Sequence, residues 1–485
     1  MALQLVSPLP VLLLVVTAVA IYISRRPATA RGGYPLPPGP KPFPLLGNLL
    51  DMPKKHAWVV FREWSKKYNS DVVYVETLGQ RYVIVNSAKA VSDLFEKRSS
   101  IYSCRPSFYA FNNILNLGWV TGTVPYGPEL RKQRKGLALS LNPTAMKQYH
   151  PMELKATHRL LRNLLDGSED YIQHIRHMAG HVALSISYGL DVKPRDDPYI
   201  KMAERGLHAL FLGGQLRGQI FDMVPFLRYM PSWFPGAGLK KEAREFAASA
   251  ADMLEVPFAV TESLVAQDAA PPSVAATMIA EQNALPRSER DIMTSKVVPA
   301  NIYFGGADGT VAILCIFLLA MVMHPDAQKK AQKEIDTVLG STRLPEFEDE
   351  SSLPYVGALV KEVLRWHPGA PMVLPRRLTQ DDVYEGYFIP EGSVILGNIW
   401  AILHDEVAFP EPEKFKPERY LDPETKSPDA VFGFGRRVCP GRHMAHASLW
   451  ISIASILATF DVCHAVDELG QKVEVTEDFA SGIIA

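Results

Sequence analysis

One cysteine in this chain stands among residues suited to metal binding. Residues 432–441 read FGFGRRVCPG, so Cys439 follows Arg436 and Arg437, lies between glycines and precedes a long apolar helical stretch. Metals bind the thiolate form of cysteine, which neighbouring cations and the positive end of a helix both favour. The glycines allow sharp turns and let a flat group approach the sulfur. The pattern favours a thiolate ligand over the plainer alternative, a buried cysteine in a Gly/Arg-rich loop.

A second unusual segment lies near the middle of the chain. The stretch from Asp291 to Met323 is apolar nearly all round and is followed by His324-Pro325, which predicts one long, buried, central helix. Residues 305–310 read GGADGT. Each glycine inside a helix costs about 1 kcal/mol relative to alanine, and a buried carboxylate such as Asp308 is paired, protonated or functional. Helix packing through small residues would explain the glycines but not Asp308, so an active-site groove is the favoured interpretation.

Patterns along the rest of the chain predict the elements that position these two segments. Residues 72–85 contain two β-rich runs around Gly79 and Gln80, typical of a hairpin, and residues 383–396 form a second β-rich island. Helical spacing occurs at residues 88–97, 129–141, 144–166, 171–189, 355–366 and 441–460. The fold is therefore expected to be mainly α with a small β portion.

Composition restricts the class of protein. Hydrophobic residues make up 47% of the chain and charged residues 21%, which is typical of globular proteins. The net charge of −1 gives no support for a nucleic-acid partner. The four cysteines form no CxxC pair, which argues against a disulfide framework and a structural zinc site and favours a reducing compartment.

The N-terminal region is expected to attach the protein to a membrane. From Leu3 to Ile23 the chain is uncharged, apolar and long enough to cross a hydrocarbon core, and Arg25 and Arg26 follow it. A cleaved signal peptide is the competing interpretation, but no basic residue precedes the apolar run. The predicted organisation is a transmembrane anchor at residues 1–24, a basic and proline-rich hinge at 25–47 and a cytoplasmic catalytic domain at 48–485.

The segment around Cys439 resembles the haem-ligand signature of the cytochrome P450 family, FxxGxRxCxG. The match falls on Phe432, Gly435, Arg437, Cys439 and Gly441. The resemblance implies a P450 fold with haem b, iron protoporphyrin IX, between the long central helix and the cysteine segment. It also implies that Cys439 is the iron ligand. Phe432, Arg437 and Gly441 are then expected to contact the cofactor.

The central segment resembles the family's oxygen-binding motif, (A/G)Gx(D/E)T(T/S), but departs from it at one position. Gly309 stands where the family has the threonine that helps to activate dioxygen, and only the second threonine position is filled, by Thr310. One residue along a helix rotates a side chain by about 100°, so Thr310 cannot substitute unless the helix is widened or bent. Asp308 and Thr310 are the candidate catalytic residues, and slow or poorly coupled turnover is expected.

The resemblance assigns two kinds of role to charged side chains. Arg437, Arg376 and Arg134 match positions that contact haem propionates, although Leu130 replaces the tryptophan found four residues before Arg134 and removes an indole donor. The basic run at residues 131–135 could dock an acidic reductase or form a plain solvated helix face.

Three further residues match a structural network of the family, and several others match its pocket. An ExxR pair followed by PERY is weakly informative alone, but the order of these motifs before the cysteine segment is the family's order. The matching network residues are Glu362, Arg365 and Arg419. The candidate pocket walls are Phe108, Tyr109, Phe111, Phe304, Met372 to Leu374 and Ile483.

The expected function is an NADPH- and O2-dependent monooxygenase of the fungal microsomal type. Its substrate would be a hydrophobic small molecule, such as a terpenoid secondary metabolite or a steroid-like or aromatic xenobiotic. Electrons would come from a separate NADPH-cytochrome reductase, because no dinucleotide-binding GxGxxG follows a strand. The expected location is the endoplasmic reticulum membrane, with a single membrane pass.

Two alternatives remain open. An oxygen-independent isomerase or dehydratase would also tolerate the missing threonine, although the cysteine segment of such enzymes often departs from the signature. A catalytically impaired haem-binding protein is suggested by Gly309, by Leu130 and by a chain that stops soon after the turn matched by Phe479 to Ile484.

Overall fold

The computed structural model describes residues 33–476, apart from Ser168, Arg195, 215–220, 223–224, 235–237, Ser341 and Glu468. The predicted anchor at residues 1–24, the first part of the hinge, the turn at Phe479 to Ile484 and the pocket candidate Ile483 lie outside the described residues. The chain divides into two compact units. Among the described residues, one unit contains those up to Pro106 with Met372–Ala401, and the other contains those from Ser107 to Pro371 and from Ile402 onward.

The first unit contains both β-rich segments that the sequence predicts. Its strands are β1 (Val72–Thr77), β2 (Gln80–Val85), β3 (Arg376–Arg377), β4 (Asp382–Tyr384), β5 (Tyr387–Ile389) and β6 (Val394–Gly397). The hairpin β1–β2 is confirmed, with its turn at Leu78-Gly79, both at positive φ. The two β-rich segments join, because β2 pairs in parallel with β6 in a sheet of order β1-β2-β6-β3.

Helices make up the rest of the regular structure, which confirms a mainly α fold with a small β portion. The first unit contains α1 (Ala57–Tyr68), α2 (Ala88–Ser92) and α3 (Ser99–Tyr102). The second contains α4 (Pro128–Ser140), α5 (Pro143–Met146), α6 (His150–Asp166), α7 (Tyr171–Tyr188), α8 (Pro198–Gly214), α9 (Leu239–Ala266), α10 (Val274–Asn283), α11 (Ile292–Gly306), α12 (Gly309–Met323), α13 (Pro325–Leu339) and α14 (Pro354–Trp366). The short α15 (Ile399–Leu403) spans the boundary between the units, and α16 (Arg442–Thr459) follows Cys439.

The long central helix is confirmed from Ile292 to Met323, but it is interrupted near its middle. The helix begins after Asp291, whose carboxylate accepts a hydrogen bond from the Thr294 N–H at 3.1 Å, but α11 stops at Gly306 and α12 restarts at Gly309. The interruption falls on Ala307 and Asp308, inside the GGADGT motif. Helical segments that lack a continuous hydrogen-bond ladder can change direction at the gap.

The central pair of helices lies in the core of the second unit. By length and composition alone, the run Ile292–Met323 is the one helical stretch among the described residues that could cross a membrane. Half of the most apolar part of this run is buried inside the protein. The run packs against α7 and α16. Its apolar character is therefore explained by burial in the protein core.

The predicted charged network is confirmed as a buried structure. Arg365 and Glu362 form a bidentate pair with nitrogen to oxygen distances of 2.8 and 2.9 Å, and both side chains are fully buried. Arg365 also donates to the carbonyls of Leu403 and Pro412, and Arg419 donates to Glu362 at 3.2 Å. These bonds attach α14 to the chain segment that leads toward Cys439.

Candidate active site

The cysteine loop, residues 432–441, is closed by its own backbone. The Cys439 N–H donates to the Phe432 carbonyl at 2.7 Å, and a short 3-10 turn at Gly435–Arg437 lies between them. Gly433 and Gly435 have φ values of 77° and 55°. A side chain at either position would be strained in this left-handed conformation, which explains why glycine is found there. The loop ends at Gly441, directly before the first residue of α16.

The electrostatic surroundings of the sulfur differ from those expected. Burial raises the pKa of the Cys439 thiol, while the Gly441 N–H and the charges of Arg134 and Arg442 lower it. The expectation that Arg436 and Arg437 favour the thiolate is therefore replaced by Arg134 on α4 and Arg442 on α16. The net effect raises the pKa of the thiol, and a metal ion bound to the sulfur would favour the thiolate.

Arg436 and Arg437 point to other partners. Arg436 is exposed, and its guanidinium lies 5.1 Å from the Tyr126 ring and donates to the Tyr126 hydroxyl. Arg437 donates to the carbonyls of Thr121 and Val124 at 3.2 and 2.7 Å. Both arginines thus attach the cysteine loop to residues 121–126.

A polar chain continues from Arg437 to the central helix. The Thr121 N–H donates to the Asn301 side-chain oxygen at 2.7 Å, and the Thr121 hydroxyl donates to Gln133 at 2.7 Å. Asn301 lies on α11, about one turn before the GGADGT motif. Sequence reasoning missed these three residues. A signal was present for Asn301, because it is an amide in an otherwise apolar helix.

The remaining cofactor candidates fall in different parts of the structure. Arg134 is half-buried on α4, and burial lowers its pKa while the nearby Cys439 partly opposes the shift. Leu130 is buried one turn earlier on the same helix. The half-exposed ring of Phe432 lies 4.9 Å from that of His446. Arg376 belongs to the first unit, where it is buried on β3 with its guanidinium 4.0 Å from the Phe95 ring. Their contacts with haem stay predictions.

The three glycines of GGADGT have different surroundings. A methyl group at Gly306 would lie 2.9 Å from Met444 and 3.0 Å from Ala183, so the helix packs tightly against α16 and α7 there. At Gly305 and Gly309 it would meet no atom within 4 Å, and both residues are exposed. Small-residue packing therefore explains Gly306. Gly305 and Gly309 border open space, called the groove below, and its role as an active site stays a prediction.

Asp308 and Thr310 occupy dissimilar environments. Asp308 is half-buried at the interruption between α11 and α12, where burial raises the pKa of its carboxyl group and Arg176 lowers it. Thr310 is 8% exposed and belongs to the buried face of α12. The exposed groove therefore presents Gly309 and not the hydroxyl of Thr310. The catalytic roles of both residues stay predictions.

The donor set fits a haem group. No cluster of three or more His, Cys, Asp or Glu side chains suited to a metal ion occurs among the described residues. A single buried sulfur such as Cys439 suits a metal whose other ligands come from a flat organic ring. A methyl group at Gly306 would lie 2.9 Å from Met444, so the central helix is close to the start of α16, the helix that follows the cysteine loop.

Comparisons with known proteins agree with this geometry. The cytochrome P450 family model matches residues 37–478. Cytochrome P450 monooxygenase 98 of Postia placenta is 40% identical over 94% of this chain and 88% of its own length. Cytochrome P450 monooxygenase ple1 of Rhodocybe pseudopiperita is 37% identical over 93% and 87%. The tryptamine 4-monooxygenase of Psilocybe cyanescens is 35% identical over 92% and 90%. The chain therefore belongs to the cytochrome P450 family, a family of haem-iron oxidoreductases.

Proposed function

We propose that this P450 is an NADPH- and O2-dependent monooxygenase that oxidises a hydrophobic small molecule at haem b bound through Cys439. The observation that carries the proposal is the pairing, within one unit, of the closed cysteine loop with an open groove at Gly305 and Gly309. A sulfur ligand and a space for substrate and dioxygen are the two requirements of haem-thiolate oxygen chemistry. When bound, the haem iron supplies activation of dioxygen.

The protein's own residues have separate tasks in this reaction. Cys439 holds the iron, and Arg134 and Arg442 reduce the cost of its negative charge. Asp308 is the titratable group at the helix interruption, where burial raises the pKa of its carboxyl group, and it is the residue to which we assign proton transfer. Gly309 offers no hydroxyl, so protons from Asp308 must travel through water or through a polar group of the substrate.

The substrate class follows from aromatic side chains near the groove. Phe108 and Phe111 form an edge-to-face pair at 5.5 Å, and Phe304 packs edge-to-face on Trp119 at 5.8 Å. Apolar and aromatic walls suit terpenoid, steroid-like or aromatic molecules. The named substrate of one relative, tryptamine, is also aromatic. Fungal secondary metabolism or xenobiotic oxidation is the proposed setting.

An exposed basic surface is the proposed docking site for NADPH-cytochrome reductase. Arg131, Lys135 and Arg436 are exposed, and the Tyr126 ring lies within 5.9 Å of the guanidinium groups of both Arg131 and Arg436. Lys132 is partly neutralised by Asp291 at 3.0 Å. The surface adjoins the cysteine loop through Arg436, so a docked reductase would deliver electrons on the sulfur side.

The proposed location is the endoplasmic reticulum membrane, with the catalytic part in the cytoplasm. The uncharged run from Leu3 to Ile23 and the arginines that follow it support this proposal. Expression of the full chain fused to a fluorescent protein, followed by membrane fractionation, tests it. Recovery in the soluble fraction would contradict it.

The difference spectrum of the reduced, CO-bound protein tests the proposed haem ligand. The full-length protein is expected to show the long-wavelength Soret band of thiolate ligation, and Cys439→Ser is expected to lose that band. Cys104→Ser is the matched control, because Cys104 lies in the first unit. If the native protein lacks the thiolate band, both the monooxygenase and the isomerase or dehydratase function are excluded.

Gly309 favours a second candidate function, an oxygen-independent isomerase or dehydratase. Such an enzyme needs neither NADPH nor a reductase, and it needs no hydroxyl beside the groove. Screening candidate substrates with and without a co-expressed reductase, with products followed by mass, separates the two. Products that gain one oxygen atom only in the presence of reductase support the monooxygenase.

A further inference from the structure

A carboxyl group lies fully buried between two helices of the second unit. Glu153 belongs to α6, which packs against α16, the helix that follows the cysteine loop. Its Oε1 accepts a hydrogen bond from the Ser448 hydroxyl at 2.7 Å, whereas its buried Oε2 has no partner among the described residues. An ionised carboxylate with a single donor is costly to bury. The contacts therefore favour the neutral, protonated acid.

Charged groups on the neighbouring elements do not change this conclusion. The elements packed on α6 are α7, α16 and the turn Lys147–Tyr149. Their titratable groups include Lys147, Tyr149, His177, His181, Arg442, His443 and His446. None of these described groups shifts the pKa of Glu153, which burial raises from 4.5 to about 8 against the opposing effect of the Ser448 bond. Protonation of Glu153 therefore depends on its burial and on one hydroxyl group.

Helix α16 connects this carboxyl group to the cysteine loop. Ser448 lies six residues after Arg442, the first residue of α16, which corresponds to about 9 Å along the helix. The charge of Arg442 lowers the pKa of the Cys439 thiol, so the start of α16 lies within electrostatic range of the sulfur. A second polar contact joins the two helices one turn further along, between the hydroxyls of Thr157 and Ser452 at 3.5 Å. These contacts fix the position of Glu153 relative to the cysteine loop.

We propose that Glu153 is a redox-linked proton site, whose bound proton keeps the reduction potential of the haem higher than an ionised Glu153 would allow. The proposal rests on the proposed function, because it assigns a further residue to the haem bound through Cys439. One electron from the reductase reduces the iron. Where Glu153 is ionised, the same step is accompanied by transfer of one proton from the solvent to its carboxylate. Where Glu153 already holds its proton, none is taken up.

The size of the effect follows from Coulomb's law. Two unit charges roughly 15 Å apart, at an effective dielectric constant of about 20, change an equilibrium constant about fivefold. Ionisation of Glu153 should therefore make reduction of the haem less favourable by this factor. By linkage, reduction should make loss of the Glu153 proton less favourable by the same factor. The reduction potential should be constant below the pKa of Glu153 in the oxidised protein and should fall as pH rises through it.

The test is spectroelectrochemical titration of the full-length haem-loaded protein between about pH 6 and about pH 9.5. Glu153→Gln cannot ionise and should keep the potential of the native protein at low pH across this range. The control Glu262→Gln, at an exposed site on α9, should follow the native curve. In Ser448→Ala the fall should begin at higher pH, because the bond that favours the ionised form is lost. The infrared difference between the native protein and Glu153→Gln at neutral pH should contain the C=O band of a protonated carboxylic acid.

Two outcomes would overturn the proposal. One is the same pH dependence of the potential in the native protein, Glu153→Gln and Glu262→Gln. The other is an infrared difference without the carboxylic acid band, which would show that Glu153 is ionised at neutral pH. If Glu153→Gln does not retain haem, Ser448→Ala decides the question, since an unchanged potential curve in that variant would also contradict the linkage. A linked potential in a protein that shows no turnover would support the proposal while contradicting the proposed enzyme.

Discussion

The cysteine loop is held by its own backbone, whereas the interruption of the central helix is held by neighbouring helices. The loop closes through the bond from Cys439 to Phe432 and through glycines at positive φ. The interruption depends on Gly306, which fits between Met444 and Ala183. The comparison teaches that the cysteine loop tolerates few substitutions, because its closure needs glycines at positive φ. The open space beside Gly309 places no such restriction on the side chain at that position.

The largest expected effect concerns the buried network that supports the sulfur side. Arg365→Ala removes the bidentate partner of the buried Glu362 carboxylate and leaves Arg419 as its remaining cation, so it should lower the free energy of unfolding by about 3–5 kcal/mol. Thermal unfolding and haem content of the purified protein measure this effect. Lys361→Ala, an exposed neighbour on α14, is the control and should have little effect. Equal losses of stability and haem content in the two variants would show that the network does not support the fold.

A buried carboxyl group on α6 predicts a pH dependence of stability. Burial raises the pKa of Glu153 from 4.5 to about 8, although its bond from Ser448 on α16 opposes the shift. At pH values between these two pKa values, Glu153 keeps its proton in the native protein and releases it in the unfolded chain. Stability therefore falls as pH rises through this range. The loss should reach about 3 kcal/mol by pH 7.

Glu153→Gln should remove this pH dependence, because glutamine keeps a bond with Ser448 and does not titrate. The measurement is the melting temperature of the native protein and the variant at several values between about pH 5 and pH 8. Glu262→Gln, at an exposed site on α9, is the control. Parallel curves for the native protein and Glu153→Gln would show that Glu153 is ionised throughout.

Adjacent glycines test the helix interruption. Gly306→Ala places a methyl group 3.0 Å from Ala183 and 2.9 Å from the flexible end of Met444, so this variant should be less stable than Gly305→Ala by about 1 kcal/mol or more. Gly305→Ala meets no atom within 4 Å and should stabilise it by up to about 1 kcal/mol. Denaturant midpoints measure both changes. Destabilisation of the same size at both positions would contradict the distinction between a packed and an open face.

The smallest expected effect concerns the proposed reductase surface. Lys135→Glu reverses one exposed charge and should reduce the rate of electron transfer from the reductase a few-fold at low salt, with a smaller difference at high salt. Lys329→Glu, an exposed lysine on α13, is the control. Rates that respond equally to both substitutions would indicate a general charge effect and no specific docking surface.

Local patterns made much of this structure predictable. The hairpin at residues 72–85 and the helix around Glu362 follow from residue type and spacing, as does the family assignment from the Cys439 segment. The parallel pairing of β2 with β6 could not be predicted, because register between distant segments is absent from local periodicity. Side-chain direction was equally hidden, since Arg436 and Arg437 precede Cys439 in sequence yet contact residues 121–126. The polar chain through Asn301 depends on tertiary contacts.

One measurement tests most directly the contrast between the cysteine loop and the central helix at Gly309. It is the amount of product formed per NADPH consumed, in the native protein and in Gly309→Thr. The substitution is sterically possible, because a methyl group at Gly309 meets no atom within 4 Å and its φ is not left-handed. If the sulfur side is intact and the groove lacks a hydroxyl, Gly309→Thr should form more product and less peroxide per NADPH consumed. Equal coupling in the two proteins would contradict the account.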